Sequence, residues 1–122
     1  MQDYSFIDLI LPEGITEYFD VKNFKKGESY YSIYLEERNI PPIEYSSEKL
    51  MSKGFFDEIT LQDFPIRGKA CYLNIKRRRW QNTQTGLYVV RDWNLVAKGT
   101  KLTQEFASFL KEVTRYQANK RE

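Results

Sequence analysis

The chain has 122 residues, of which 41% are hydrophobic, 16% aromatic and 30% charged, and its formal net charge is +2. This length suits one small domain, and the large aromatic share excludes a chain that is disordered by composition. One cysteine and no histidine exclude a disulfide framework, a four-ligand zinc site within the chain and catalysis that needs an imidazole.

The apolar stretches are short and the N-terminus is acidic. No run reaches the roughly 18 consecutive apolar residues of a membrane span. Asp3 and Asp8 stand where a secretory signal peptide would carry basic residues. We therefore expect a cytoplasmic protein with no membrane partner.

Charge is divided unevenly between the two halves of the chain. Residues 1–65 contain 6 basic and 13 acidic residues, a net of −7, whereas residues 66–122 contain 13 basic and 4 acidic residues, a net of +9. Such a division points to a nucleic acid or another acidic partner for the basic half. The alternative is that the two halves pack together and neutralise each other.

The first 42 residues are predicted to form a helical segment and a β-hairpin. A turn at residues 25–28 separates two strand-like runs, and two prolines, Pro41 and Pro42, end the second run. Apolar residues four apart predict a short amphipathic helix before Pro12: Phe6, Ile7, Ile10 and Leu11. Alternation predicts that one face of the second strand is buried: Tyr31, Ile33 and Leu35.

Residues 52–117 are predicted to form a β-meander and a helix. Three antiparallel strands are expected at 55–64, 69–80 and 87–93, with turns at 65–68 and 81–86. The last element shows a 3.6-residue apolar period, with Thr103 as its N-cap: Leu102, Phe106, Phe109, Leu110, Val113 and Tyr116. We predict one α+β domain over residues 1–122, with subregions at 1–42 and 52–117.

The strongest chemical feature is a basic run at the end of the predicted middle strand. Arginine pairs bidentately with phosphate or with a guanine edge, and a two-stranded β-ribbon fits the DNA major groove. Trp80 either stacks on a base or covers the core. The predicted nucleic-acid-binding residues are Arg67, Lys69, Lys76, Arg77, Arg78, Arg79, Trp80 and Arg91. The alternative is a protein-interaction module whose basic face binds an acidic partner.

Other groups of residues give weaker indications of a functional site. A metal-binding acidic cluster would need Asp57 and Glu58 on one face, but a regular strand points them to opposite faces. Cys71 lies on an apolar strand face and is predicted to be a buried, inert thiol. The tyrosines around Tyr31 form a conceivable nucleic-acid platform, which nearby glutamates disfavour. We expect no catalytic residue, no metal site and no cofactor, and hence no enzymatic activity in this chain.

Several runs of residues resemble a known family. They are the segment 54–69, the strand ending in Arg77-Arg78-Arg79-Trp80, the run 91–97 and the segment 103–106. Together they resemble the small N-terminal-region proteins of bacterial insertion-sequence transposases. Larger relatives keep this piece in front of a one-chain transposase, within a zinc ribbon followed by helix-turn-helix elements.

The resemblance implies a function and partners. It implies a DNA-binding accessory module that binds the element's terminal repeats for a separately encoded catalytic chain. The expected partners are double-stranded DNA, that chain and, as an open alternative, a second copy in a homodimer. This sequence departs from the relatives because Gln81-Asn82-Thr83 stands in place of their second cysteine pair. It therefore predicts a degenerate, zinc-ribbon-like meander in which packing replaces the metal.

Overall fold

A computed structural model describes residues 5–11, 14–93 and 109–115. Strands in two sheets dominate these residues, and a C-terminal helical segment accompanies them, so the α+β class is confirmed in its broad sense. The chain divides into two compact units. One unit comprises Met1–Phe19 with Trp93–Glu122, and the other comprises Asp20–Asp92. These boundaries cut across the predicted subregions at 1–42 and 52–117.

The first unit packs aromatic rings around Phe19. This ring stacks on Trp93 at 5.2 Å between centroids and meets Phe109 edge-on at 5.8 Å. Residues 109–115 are helical and bury Phe109, Leu110 and Val113, as the 3.6-residue period predicts. The remaining predicted positions of this helix, including its Thr103 cap, lie outside the described residues.

The N-terminal segment forms short 3-10 turns, Ser5–Leu9 and Ile15–Glu17, rather than the predicted amphipathic helix. Ile7 and Leu11 are buried, but Ile10 is partly exposed and Phe6 is more than half exposed. Only one of the two apolar pairs therefore reaches the core. A segment this short gains little from helical propagation, so tertiary packing decides its conformation.

The second unit contains a four-stranded sheet in the order β1-β2-β5-β4. Its strands are β1 (Phe19–Lys26), β2 (Tyr30–Glu37), β4 (Ile59–Ile66) and β5 (Lys69–Lys76). The predicted hairpin β1–β2 is confirmed, as is the antiparallel pair β4–β5, whose turn places Arg67 and Gly68 at positive φ. The central pair, β2 and β5, is parallel, a pairing that the sequence did not predict.

A second sheet has the order β3-β6-β7. Its strands are β3 (Leu50–Phe55), β6 (Arg78–Asn82) and β7 (Tyr88–Val89). The predicted middle strand of the meander, 69–80, is therefore split at Arg77 into β5 and β6, which lie in different sheets. The meander is divided accordingly: β4 pairs with β5 in one sheet and β7 pairs with β6 in the other.

The core of the second unit lies against one face of the four-stranded sheet. Leu73 of β5 stands in register with Ile33 of β2 and with Leu61 of β4. The next layer repeats this arrangement with Ile75, Leu35 and Ile59. All six side chains are buried, and burial of each contributes about 1.5–3 kcal/mol. This apolar ladder holds the two central strands in their parallel register.

Cys71 extends the buried face of the sheet and supplies a test of its rigidity. The thiol is fully buried, and burial, aided by Asp63 on the adjacent strand, raises the pKa of Cys71 to about 11. At pH 8 the native protein should therefore react with a thiol reagent at least a hundredfold more slowly than the urea-unfolded chain, because access requires the sheet to open. Native labelling as fast as unfolded labelling would contradict this packing.

Candidate nucleic-acid interface

The basic run, Lys76-Arg77-Arg78-Arg79, passes from the first sheet to the second at Arg77. This break determines which of its side chains are buried and which are exposed. Arg77 ends the path from β5, and its carbonyl accepts a 2.9 Å hydrogen bond from the Phe56 N–H. Along β6 the side chains then alternate: Arg78 and Trp80 point inward, whereas Arg79 is exposed. The four consecutive basic residues therefore do not form one solvent-facing cluster.

Glu37, at the end of β2, accepts hydrogen bonds from the inward-facing donors of this region. Its carboxylate accepts hydrogen bonds from the Arg91 Nε at 3.0 Å, the Arg78 backbone N–H at 2.9 Å and the Trp80 indole N–H at 3.4 Å. The carboxylate is fully buried and forms a buried ion pair with Arg91. Burial raises the pKa of Glu37, while the Arg78 hydrogen bond and the charge of Arg91 act in the opposite direction.

Arg77 and Arg78 are held beside this carboxylate. Arg78 donates from Nε to the Glu37 carbonyl at 2.7 Å and from Nη1 to the Ser52 hydroxyl at 2.7 Å. Arg77 is 2% exposed, and its guanidinium lies 5.7 Å from the centre of the Phe56 ring. Burial lowers the pKa of Arg77, and the nearby Glu37 opposes that shift. These arginines join the two sheets of the unit.

The eight predicted nucleic-acid-binding residues fall into three groups. Arg77, Trp80 and Arg91 are buried around Glu37, and we leave them out of the interface because no polyanion can reach them there. Lys69 precedes Lys76 by seven residues along β5, a distance of about 23 Å, so Arg67 and Lys69 do not share one patch with the arginine run. The residues at or near the surface of the β5–β6 region are Lys76, Arg78 and Arg79.

Arg79 belongs instead to an outward surface of the second sheet, which we call the ribbon face: Met51, Lys53, Arg79, Gln81 and Tyr88. Gln81 stands in register with Met51 on one side and with Tyr88 on the other. The Arg79 Nε donates to the Lys53 carbonyl at 3.2 Å, and its guanidinium lies 4.8 Å from the centre of the Tyr88 ring. Backbone and ring contacts thus orient the exposed guanidinium.

The ribbon face is basic because its strands contain no acidic residue. The sequences of β3, β6 and β7 are LMSKGF, RRWQN and YV. The loop between β6 and β7 is ordered by Asn82, whose Oδ1 accepts from the backbone N–H groups of Gln84 and Thr85 at 2.8 and 3.0 Å. Its Nδ2 donates to Glu48 at 2.7 Å. This face therefore lies on a rigid hairpin.

Sequence reasoning missed Lys53, Gln81 and Tyr88. Period-two alternation through β6 pairs Gln81 with Arg79 on one face, so that signal was present in the sequence. The pairing of β3 with β6 was not predicted, because residues 69–80 were predicted to form a single strand of the meander. Lys53 was therefore assigned to the acidic half.

The donor groups do not fit the zinc that the transposase resemblance implies. Cys71 is buried, and residues 5–11, 14–93 and 109–115 contain no group of three or more histidine, cysteine, aspartate or glutamate side chains able to hold a metal. The hydrogen bonds of Asn82 hold the loop that follows Trp80. Within the described part of the chain, no helix has the length and apolar character needed to cross a membrane.

Comparisons with known proteins return no relative. No family model, curated protein or solved structure matches the chain. The likeness to transposase N-terminal regions therefore rests on the residues alone.

Replacing Glu37 should destabilise the second unit strongly. The Glu37→Gln variant keeps the side-chain shape but removes the buried negative charge that pairs with Arg91 and lies beside Arg77, which should lower the free energy of unfolding by about 3–5 kcal/mol. Urea denaturation followed by tryptophan fluorescence measures this loss, since Trp80 donates to the same carboxylate.

Glu36→Gln is the matched control for this experiment. Glu36 is the adjacent glutamate, but it lies on the other face of β2 and is only half-buried. Its loss should change the free energy of unfolding by less than about 1 kcal/mol. Equal effects of the two substitutions would show that Glu37 does not organise the unit.

Proposed function

We propose that the protein is a DNA-binding module of an insertion-sequence transposase, and that it binds the element's terminal repeats for a separately encoded catalytic chain. The observation that carries this proposal is the ribbon face, a basic surface without acidic residues on three short strands. A narrow β-ribbon of this kind can enter the major groove of duplex DNA. Catalysis then belongs to the partner chain.

The chemistry of the ribbon face suits duplex DNA. Lys53 offers a mobile positive charge to phosphate, and the pre-oriented Arg79 offers a planar fork to phosphate or guanine. Gln81 is the side-chain type that pairs with an adenine edge, and it stands two residues from Arg79 on the same face.

The burial of Arg77 and Arg91 supports a smaller contact than the whole basic run would make. Arg91 pairs with a carboxylate from the acidic half and Arg77 is buried beside it, so neither releases counterions from DNA. The remaining surface is consistent with a module that needs a second DNA-binding element on its catalytic partner or on a second copy. In this proposal β3, although it belongs to the acidic half, contributes Lys53 to the DNA contact, and the protein works in the cytoplasm beside the element.

We also propose that the β6–β7 hairpin corresponds to the part of the relatives' ribbon that follows their arginine-aromatic run. Its sequence position matches, and Asn82 stabilises the loop that a metal site stabilises there. The ribbon-like interpretation is limited to this hairpin, because β5 and β6 belong to different sheets.

A protein-interaction module is the second candidate. Met51 and Tyr88 are about half exposed and Leu87 is 68% exposed, so apolar area lies in and beside the ribbon face. Exposed apolar area next to arginine is typical of protein interfaces. In this alternative the same surface binds an acidic region of a partner protein, such as the catalytic chain.

The Arg79→Ala variant should weaken binding to a duplex that carries the element's end sequence by about 1–3 kcal/mol. It should also lower the slope of log affinity against log salt concentration by about one, because one phosphate contact or its equivalent is lost. Fluorescence anisotropy with labelled duplex at several salt concentrations measures both quantities.

The matched control is Arg67→Asn, which removes one exposed arginine from the turn between β4 and β5. Asparagine tolerates the positive φ of this position, so the backbone is preserved. Duplex affinity should change less than twofold. An unchanged affinity and salt slope in Arg79→Ala, or equal losses in both variants, would rule out the ribbon face as the DNA contact and favour the protein-interaction module.

A further inference from the structure

The four-stranded sheet carries a second, unrelated surface on the face turned away from its apolar core. On the central strands, large and small residues alternate across each register pair: Tyr30 lies beside Ala70, Ser32 beside Tyr72, and Tyr34 beside Asn74. On the edge strand β4, Phe64 follows Gln62 by two residues, at the start of a register shift between Asp63 and Ile66, and is 68% exposed. We call these four rings the aromatic face: Tyr30, Tyr34, Phe64 and Tyr72.

The rings are positioned by their neighbours. The Tyr30 and Tyr72 rings lie 6.4 Å apart at 57° to each other. Gly27 makes room for Tyr30, since a side chain there would come within 2.1 Å of its ring. The rings on the two central strands are thus fixed on a rigid sheet, which lowers the entropic cost of stacking a planar ligand on them.

Polar groups fill the spaces between the rings. The Thr60 hydroxyl donates to Asn74 Oδ1 at 2.8 Å, and Asn74 Nδ2 donates to the Ser32 hydroxyl at 2.9 Å. This ladder of hydrogen bonds links the three strands β2, β5 and β4. Gln62, exposed and in register with Tyr72, adds an amide at the edge of the aromatic face.

Two lysines lie at the margin of the aromatic face. Lys25 lies 5.2 Å from the centre of the Tyr34 ring. Lys76 stands in register with Glu36, so that this carboxylate has a basic neighbour. Glu37, which in the sequence counts against a nucleic-acid platform, is buried on the opposite face of β2. The sheet therefore removes Glu37 from this face, whereas Glu36 stays beside Lys76 and Glu28 is exposed at the β1–β2 turn.

We propose that the aromatic face binds a single-stranded DNA segment, by stacking bases on its rings and placing phosphates near Lys25 and Lys76. Rigid rings at sheet positions, neutral hydrogen-bonding groups between them and lysines at the margin are the components of single-strand recognition. This inference goes beyond the proposed function, because it uses another sheet and another form of DNA. Such a surface suits a protein that holds a DNA end while its strands are separated.

The test uses the full chain and a fluorescein-labelled oligothymidylate of roughly 12 nucleotides, within the usual site size of such surfaces. Anisotropy should report binding that an unlabelled duplex of the same length displaces poorly. Tyr72→Leu, which keeps apolar area but removes the ring, should weaken binding at least about fivefold, whereas Tyr72→Phe should restore it. Phe64→Leu, at an exposed position that folding does not depend on, should produce a loss of the same order.

Two controls separate this surface from the ribbon face. Tyr88→Leu removes an exposed ring from the second sheet, and Arg79→Ala removes the charge above it; both should leave oligothymidylate affinity within about twofold. No binding of oligothymidylate, equal binding by the leucine and phenylalanine variants, or loss of binding only in the two controls would each overturn the proposal. Duplex binding through the ribbon face is measured separately, so either surface can fail alone.

Discussion

The second unit depends on one buried carboxylate. Glu37 lies at the end of β2, where it binds the backbone of Arg78, the indole of Trp80 and the guanidinium of Arg91. A buried charge is costly unless it is paired and hydrogen-bonded, so this contact fixes the positions of all its partners at once. Its partners come from strand β6 and from the segment after β7, whereas Glu37 belongs to the four-stranded sheet. One side chain thus joins the two sheets.

This constraint also decides which cations remain at the surface. Once β6 turns Trp80 and Arg78 toward Glu37, strand alternation turns Arg79 and Gln81 outward. The basic run therefore serves two purposes: its inward members hold the unit together, and its outward members create the ribbon face. A substitution at Arg77 or Arg91 is consequently expected to change folding first, and under the proposed function a lower DNA affinity would then report stability rather than contact.

Under the proposed relationship to transposase N-terminal regions, the same division accounts for folding without their metal. In a zinc ribbon, coordinated cysteines hold two loops together and supply much of the folding free energy. Here the Asn82 hydrogen bonds order the loop after the arginine run, and the Glu37 cluster anchors the strand before it. The two proposed DNA surfaces then lie on different sheets of one unit. In the ribbon face a ring orients a guanidinium, whereas in the aromatic face the rings themselves are the proposed contacts.

The sequence by itself determined the α+β class, the hairpin β1–β2, the β4–β5 turn and the apolar stripe of residues 109–115, because each depends on local periodicity or turn chemistry. It also identified Cys71 as a buried thiol. Only the tertiary structure decided that β2 runs parallel to β5, that the strand breaks at Arg77 and that Arg91 meets Glu37, 54 residues away. Those outcomes depend on long-range pairing and on the cost of burying charge, and neither leaves a local pattern in the chain.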